Sequence, residues 1–403
     1  MSVIVIFLIC FVFSQDVMGF SASYMKRPSF RSSMKMTAID DVNPTSAPTT
    51  SSAPIKTSIA AARAKSTPGK SWMKCKTLGV GSSAGKNMMP NDSFETLVDT
   101  NDKWISKRTG IRNRHIIEQG SSLRQISIAS AQEALENAKV DPREIDLVIV
   151  ATSSPDDLFG DAGSIATALG ASNAAGFDLT AACSGFLFGV VTASQFLHTG
   201  TYKRVLVIGA DALTRFLDWS DRGTCILFGD GAGAIVMEGV ESEEESGLLG
   251  FALHSNGEGY CNLQLPFISD YKELKNEQKS VVDQGQYGKM TMNGAEVYKF
   301  AVNVVPEIIT EALNNAGLTT SDVDWLLLHQ ANIRIMQHAA QVLGIPMEKV
   351  LRNIEEYGNT SAGSIPLALS EAVKSGKVKK GDIIAMAGFG AGLSWGGAIV
   401  KWE

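Results

Sequence analysis

The chain has 403 residues, 44% hydrophobic and 19% charged, enough for one large globular core or two fused ones. A formal net charge of −6 argues against nucleic acid or an anionic membrane as the main partner, because both call for a basic face. An acidic partner therefore has to meet a local basic patch.

In chain order, the first segment stands apart. "VIVIFLICFVFS" (3–14) is an uncharged apolar run of signal-peptide length, too short to span a bilayer comfortably, and small residues follow around Gly19. From Phe20 to Lys70 the residues are mostly Ser, Thr, Ala, Pro, Lys and Arg, with acids nearly confined to Asp40 and Asp41; this composition resembles a plastid transit peptide. The two segments in tandem, with Phe20 just past the expected cleavage site, predict a bipartite presequence over 1–71. They place the mature protein in the stroma of a secondary plastid, with no membrane insertion. A secretory signal followed by a disordered linker is the alternative. Five cysteines without paired spacing predict reduced thiols.

Past residue 72 the sequence repeats itself. "EALENAKVDPREIDLVIVATSS" from Glu133 matches "EALNNAGLTTSDVDWLLLHQAN" from Glu311 without a gap, an offset of 178. The same offset lays "ACSG" (182–185) on "TSAG" (360–363) and, within one residue, "YKRVLVIGA" on "KKGDIIAMA". Beyond it, "GAGAIVME" and "GGAIVKWE" pair at an offset of about 164, so the first half carries a longer loop, "LTRFLDWSDRGTC". Each half, 72–245 and 246–403, is predicted as an amphipathic helix, a buried strand, a buried helix after the "CSG" or "SAG" turn, then a strand and a C-terminal hairpin. Apolar strands alternating with helices predict an α/β fold whose sheet is largely parallel and covered on both faces. The acidic run "EGVESEEESG" reads as a solvated hairpin connection.

"AAGFDLTAACSGFLFGVVTASQFL" (174–197) places Cys183 between a β-like run and a long apolar helical run. A pseudo-twofold arrangement makes it face the region of its counterpart, Ser361. Unpaired N–H groups and the dipole at a helix N-terminus favour a thiolate; a small buried hydrophobe is the other reading of this cysteine. "LLLHQANIRIMQHAA" sets His329 at the C-terminal end of a buried strand, the edge where parallel α/β sheets host sites. "NIEEYGNTSAGSIPLALSEA" sets Asn359 in a glycine-flanked turn. Singly, the histidine is a structural residue and the asparagine a cap, but with Cys183 at corresponding crossroads of a duplicated fold they point to one catalytic site. "GVGSSAGK" fails the spacing of a phosphate-binding loop, and "GDGAGA" does not open a helix as a dinucleotide turn does. The remaining cysteines and histidines lack metal-ligand spacing.

Six segments, "DTNDKWISKRTGIRNRH", "FDLTAACSGF", "DRGTCILFGDGAGA", "LLLHQANIRI", "YGNTSAGSIPLAL" and "GFGAGLSWGGAIV", together resemble the β-ketoacyl-ACP synthase III family of type II fatty acid synthesis. The resemblance runs from about residue 74 to 403. It implies a thiolase-like fold of duplicated α/β halves in five α-β-α-β-α layers, a homodimer, and condensation of acetyl-CoA with malonyl-ACP to acetoacetyl-ACP, CO2 and CoA. No metal or redox cofactor is implied. Cys183 corresponds to the nucleophile, His329 and Asn359 to the pair that holds the malonyl thioester oxygen, and the backbone N–H groups of Cys183 and Ala391 to a second oxyanion hole. Trp104 and Arg108, with Thr100 nearby, match one side of an adenine site and Arg222 the other. Tyr298 stands where phenylalanine commonly lines the pantetheine tunnel, and Ala295 replaces an asparagine. Asn332 matches a pantetheine contact, and Arg334 a residue at the tunnel mouth that meets the acyl carrier protein. Phe159 matches a ring that crosses the dimer interface to close the acyl pocket. Chalcone-synthase-like polyketide synthases share Cys, His and Asn, whereas thiolases and elongating synthases put a second Cys or His where Asn359 stands.

Overall fold

The computed structural model describes residues 73–242 and 246–403, and the presequence expected over 1–71 lies outside the described residues. The first half begins with β1 (Lys74–Ala84), β2 (Asn87–Pro90), α1 (Asp102–Thr109), β3 (Asn113–Ile116) and α2 (Leu123–Ala138). It continues with β4 (Leu147–Ala151), α3 (Ala162–Leu169), β5 (Ala175–Leu179), α4 (Gly185–His198), β6 (Arg204–Asp211) and β7 (Gly231–Val240). The second half contains β8 (Gly247–Ser255), α5 (Gly294–Ala316), β9 (Trp325–Leu328), α6 (Ile333–Leu343) and β10 (Val350–Leu351). It ends with α7 (Ile354–Tyr357), α8 (Ser364–Lys374), β11 (Ile383–Gly390) and β12 (Ser394–Lys401).

Each half is built on a five-stranded sheet, in the orders β1-β7-β6-β4-β5 and β10-β9-β11-β12-β8. The expectation of largely parallel sheets is corrected. In the first sheet, β6–β4 and β4–β5 are parallel while β1–β7 and β7–β6 are antiparallel. The second sheet repeats the pattern, parallel at β10–β9 and β9–β11 and antiparallel at β11–β12 and β12–β8. The physical reason is the hairpin return of each half, which turns the strand after β6 or β11 back on its neighbour. The acidic run at 241–246 is also not a hairpin: β7 and β8 belong to different sheets, so it links the halves.

All five residues of β4, "LVIVA", are buried, as a central strand covered on both faces requires. Helix α2 packs on β1, β6 and β7, and α5 on β8, β11 and β12, while α4 and α8 lie between the sheets. This gives the five α-β-α-β-α layers. Helix α4 buries residues almost all round, including Phe186, Leu187, Val190, Val191, Ala193 and Leu197, because it has a sheet on either side; each such large apolar side chain contributes roughly 1.5–3 kcal/mol. Gly209 lets the two halves approach, since a Cβ there would sit 2.4 Å from the Ala362 carbonyl oxygen.

The repeat is not in one register throughout. Strands β4 and β9 start at an offset of 178 (147 to 325), but the left-handed residues that open the two equivalent turns, Ala182 (φ 47°) and Ser361 (φ 51°), lie 179 apart. One extra residue has entered the second half between strand and turn. The structural counterpart of Cys183 is therefore Ala362, and Ser361 instead matches Ala182.

Candidate active site

Cys183 sits in a single 3-10 turn, Ala182–Ser184, directly ahead of α4, and is 6% exposed. The turn is held by the Ser184 and Ser394 hydroxyls, which donate to the Ala181 carbonyl at 2.7 and 2.9 Å. Gly390, last in β11, backs onto it: a Cβ there would lie 2.6 Å from the Cys183 nitrogen, so only glycine leaves that amide uncovered.

His329 directly follows β9. Its backbone N–H donates to the Ala387 carbonyl at 2.8 Å, extending the β9–β11 ladder by one residue, and its ring meets Phe389 edge-on with centroids 5.3 Å apart. Burial pulls its pKa down to about 3, so the imidazole is neutral and one ring nitrogen carries a proton to donate. Asn359 is fixed at both backbone groups, its N–H donating to Leu227 at 2.9 Å and its carbonyl accepting from Gly229 at 3.0 Å. Its Oδ1 accepts the Ser361 N–H at 2.9 Å. With the oxygen so occupied, Nδ2 is the end free to donate.

Cys183, His329 and Asn359 line one cavity of about 90 Å³, together with Phe228, Tyr298 and Asn332. A second cavity of about 90 Å³ opens on Cys183 from Ser153, Leu213, Met290, Ser361 and Ala391. The sulfur stands at their junction. Ser361 Oγ donates to Cys183 Sγ at 3.2 Å. Burial pushes the thiol up to about 12, the Ser361 hydroxyl opposing and the Asp211 charge adding. The thiolate expected at a helix N-terminus meets an opposing effect here: α4 starts two residues later, and loss of solvent favours the neutral thiol.

Outside the residues that line these two cavities, Asn101 caps α1 by accepting the Trp104 N–H at 2.9 Å. The guanidinium carbons of Arg108 and Arg222 lie 4.3 and 4.8 Å from the Trp104 ring centroid. The three residues meet, but not as a Trp–Arg sandwich with a gap, because Arg222 rests on the indole itself. The Thr100 hydroxyl is buried without a hydrogen-bond partner among the described residues. Asn332 caps α6, accepting the Arg334 N–H at 2.9 Å. The Arg334 guanidinium donates to the Lys107 carbonyl at 3.2 Å, joining Arg334 to Lys107 and Arg108 in a local basic edge. Phe159 is 99% exposed and lines neither cavity.

Two family models match the chain, 3-oxoacyl-[acyl-carrier-protein (ACP)] synthase III over residues 177–257 and its C-terminal counterpart over 313–402. A β-ketoacyl-[acyl-carrier-protein] synthase III of Microcystis aeruginosa is 55% identical over 324 residues, covering 80% of this chain and 96% of the relative. The chain belongs to the β-ketoacyl-ACP synthase III family. The Arabidopsis thaliana relative, whose name adds "chloroplastic", is 50% identical over 340 residues, 82% of this chain and 83% of its own. The crystal structure of the Aquifex aeolicus 3-oxoacyl-[acyl-carrier-protein] synthase III superposes with a TM-score of 0.74 at 40% identity, covering 81% of this chain and all of that one. The fold is accordingly the thiolase fold, and the chain is a condensing acyltransferase of the family that initiates fatty acid synthesis from acetyl-CoA and malonyl-ACP.

Several residues of this synthase III site escaped sequence reasoning. Asp211, at the end of β6, is fully buried and accepts from Ser153 N, Ser154 Oγ, Thr152 Oγ1 and Ala362 N at 2.8, 2.8, 3.1 and 3.2 Å. It pins the strand ends of the first half to the turn of the second. A lone acid closing the apolar run "RVLVIGAD" was the available signal. The segment between β8 and α5 supplies Leu263, Met290 and Met292 to the cavity walls, marked only by apolar residues in an otherwise polar stretch.

The neutral imidazole has a consequence for stability. An unfolded histidine takes up a proton below pH ~6.5, whereas His329 resists protonation down to about 3. Its environment therefore favours folding fully above pH 6.5 and progressively less below it. Chemical denaturation at pH 7 and pH 5 should show the native protein losing about 2 kcal/mol more than His329→Gln over that interval. Parallel losses contradict the buried, neutral ring.

Proposed function

We propose that Cys183, His329 and Asn359 carry the condensation in two half-reactions. Cys183 Sγ attacks the acetyl carbonyl of acetyl-CoA, its proton passing to the departing CoA sulfur, and acetyl-Cys183 places its methyl in the second cavity. Malonyl-ACP then presents its thioester oxygen to the protonated ring nitrogen of His329 and to Asn359 Nδ2. As CO2 leaves, the electron pair moves onto that oxygen, and the enolate carbon attacks the acetyl carbonyl, expelling the Cys183 thiolate, which takes up one proton from solvent to regenerate the thiol. Preorganised donors at the developing charge are worth roughly 3–4 kcal/mol each. The backbone N–H groups of Cys183 and Ala391 hold the tetrahedral oxygen; Ala391 keeps a φ outside the left-handed region, so alanine is unstrained there. The observation that carries this reading is the single cavity shared by the three side chains.

For the CoA arm, an adenine stacks on Trp104 in place of one guanidinium, worth roughly 1–3 kcal/mol, and meets the unpartnered Thr100 hydroxyl. Pantetheine runs past Tyr298 and Asn332, which line the cavity. Arg334 receives the acidic carrier protein. Arg334→Glu should raise KM for malonyl-ACP about tenfold while leaving acetylation by acetyl-CoA within about twofold; initial rates of the separate half-reactions check this, and equal damage to both contradicts it.

We place two copies together along β5, the edge strand of its sheet. Leu158, Phe159 and Phe177 are exposed beside that edge, an apolar strand edge of the kind a second chain covers. In such a homodimer Phe159 of one protomer closes the acyl pocket of its partner and favours acetyl over long primers. Residues 1–71 serve as the plastid presequence, of the bipartite kind that leads to a secondary plastid stroma, ahead of halves at 72–245 and 246–403. The deciding assay gives purified protein labelled acetyl-CoA with either malonyl-ACP or malonyl-CoA. Labelled acetoacetyl-ACP is expected; product with malonyl-CoA alone moves the chain to the polyketide branch.

A further inference from the structure

Arg114 is the largest fully buried side chain of the described residues, yet it takes no part in the chemistry above. It lies on β3 between Asn113 and His115. Among the described residues no carboxylate bonds it directly. Its Nε and Nη2 donate to the Ile226 carbonyl, Nε at 2.8 Å, and its Nη1 donates to Asn91 Oδ1. The guanidinium carbon stands 4.6 Å over the Phe94 ring centroid. A buried guanidinium satisfied by neutral acceptors holds the groups its fixed fork bridges at a set spacing.

The groups it joins are the two sides of the Trp104–Arg108–Arg222 cluster. Ile226 belongs to the loop that carries Arg222. Asn91, whose oxygen Arg114 holds, donates through Nδ2 to Asp102 Oδ1 and to the Ile111 carbonyl, both at 2.8 Å. Asp102 is the first residue of α1, which carries Trp104 and Arg108. One guanidinium thus connects Arg222 on one side to Trp104 and Arg108 on the other. Gly358, with φ 63°, lies close against the same stem: a Cβ there would come within 3.2 Å of Arg114 Cγ.

We propose that Arg114 is a positioning residue for acyl-CoA, setting the separation of the Trp104–Arg108 and Arg222 walls that receive the nucleotide. This rests on the reading of those three residues as the adenine site. Arg114 touches no substrate, so it acts on the nucleotide and not on the thioester.

The test compares acylation of the full-length protein by acetyl-CoA and by acetyl-pantetheine, which has the same thioester and no nucleotide. Arg114→Met keeps the unbranched stem against Gly358 and deletes the donors. It should raise KM for acetyl-CoA at least about tenfold with kcat within about twofold, and change kcat/KM for acetyl-pantetheine by less than about threefold. Asp102→Ala breaks the same connection at its partly exposed end and should lose about threefold in the CoA preference; it decides the matter if Arg114→Met does not fold. Equal losses on both substrates, or an unchanged CoA preference, overturn the proposal. Trp104→Ala separates the two levels. If it too leaves the preference intact, the adenine site itself is misplaced; if it removes the preference while the Arg114 and Asp102 variants do not, the positioning role alone fails.

Discussion

Cys183→Ala is expected to lower acetyl transfer from acetyl-CoA by more than about ten-thousand-fold, since removing a nucleophile removes the covalent route altogether. The same variant should go on decarboxylating malonyl-ACP, because His329 and Asn359 line the cavity independently of the sulfur. That pairing of outcomes is the informative part. The thiol is buried and accepts one hydrogen bond, from the Ser361 hydroxyl, so replacing it with hydrogen unpairs that one donor. Single-turnover acetylation and CO2 release, measured on the same preparation, check both halves. Acetyl transfer at the native rate contradicts the nucleophile; loss of decarboxylation along with transfer contradicts the division of labour.

The second large effect concerns the donors to the enolate oxygen. His329→Ala should slow condensation about a hundred- to a thousandfold, while acetyl-Cys183 forms within a few-fold of the native rate. For Asn359, alanine is a poor probe, because it leaves the Ser361 N–H without the acceptor it has at 2.9 Å, at about 1–3 kcal/mol for an unsatisfied buried group. Asn359→Asp keeps an oxygen in that place and replaces only the donor end, setting a carboxylate oxygen against the developing negative charge. It should lose at least as much as His329→Ala. Rapid-quench measurement of the two half-reactions checks this, and equal slowing of both contradicts a role confined to decarboxylation and attack.

Much of this site is legible in one dimension because duplication repeats local patterns. The buried runs at 147–151 and 325–328, the two turns and the two buried helices announce themselves by periodicity and by likeness to each other. The positions of Cys183, His329 and Asn359 at strand and helix ends follow from those elements. What stays hidden are pairings between residues far apart in the chain. Strand direction depends on which strand β7 chooses, and an offset that changes by one residue after β9 cannot be seen where the matched letters are few. The thiol's rise to about 12 arises from burial, which a helix-end argument does not weigh. Asp211 and Arg114 are hidden for the same reason: their partners are Ser153 and Ala362 in one case, Ile226 and Asn91 in the other, and no local spacing marks them.

The central claim is that one sulfur carries the acetyl group between two substrates inside the shared cavity. Peptide mass spectrometry after incubation with acetyl-CoA alone tests it most directly. The acetyl mass should be found on the peptide that contains Cys183 and should disappear, with equimolar formation of acetoacetyl-ACP, when malonyl-ACP is added. Acetylation at another residue, or turnover by a protein that never carries acetyl on Cys183, contradicts the account.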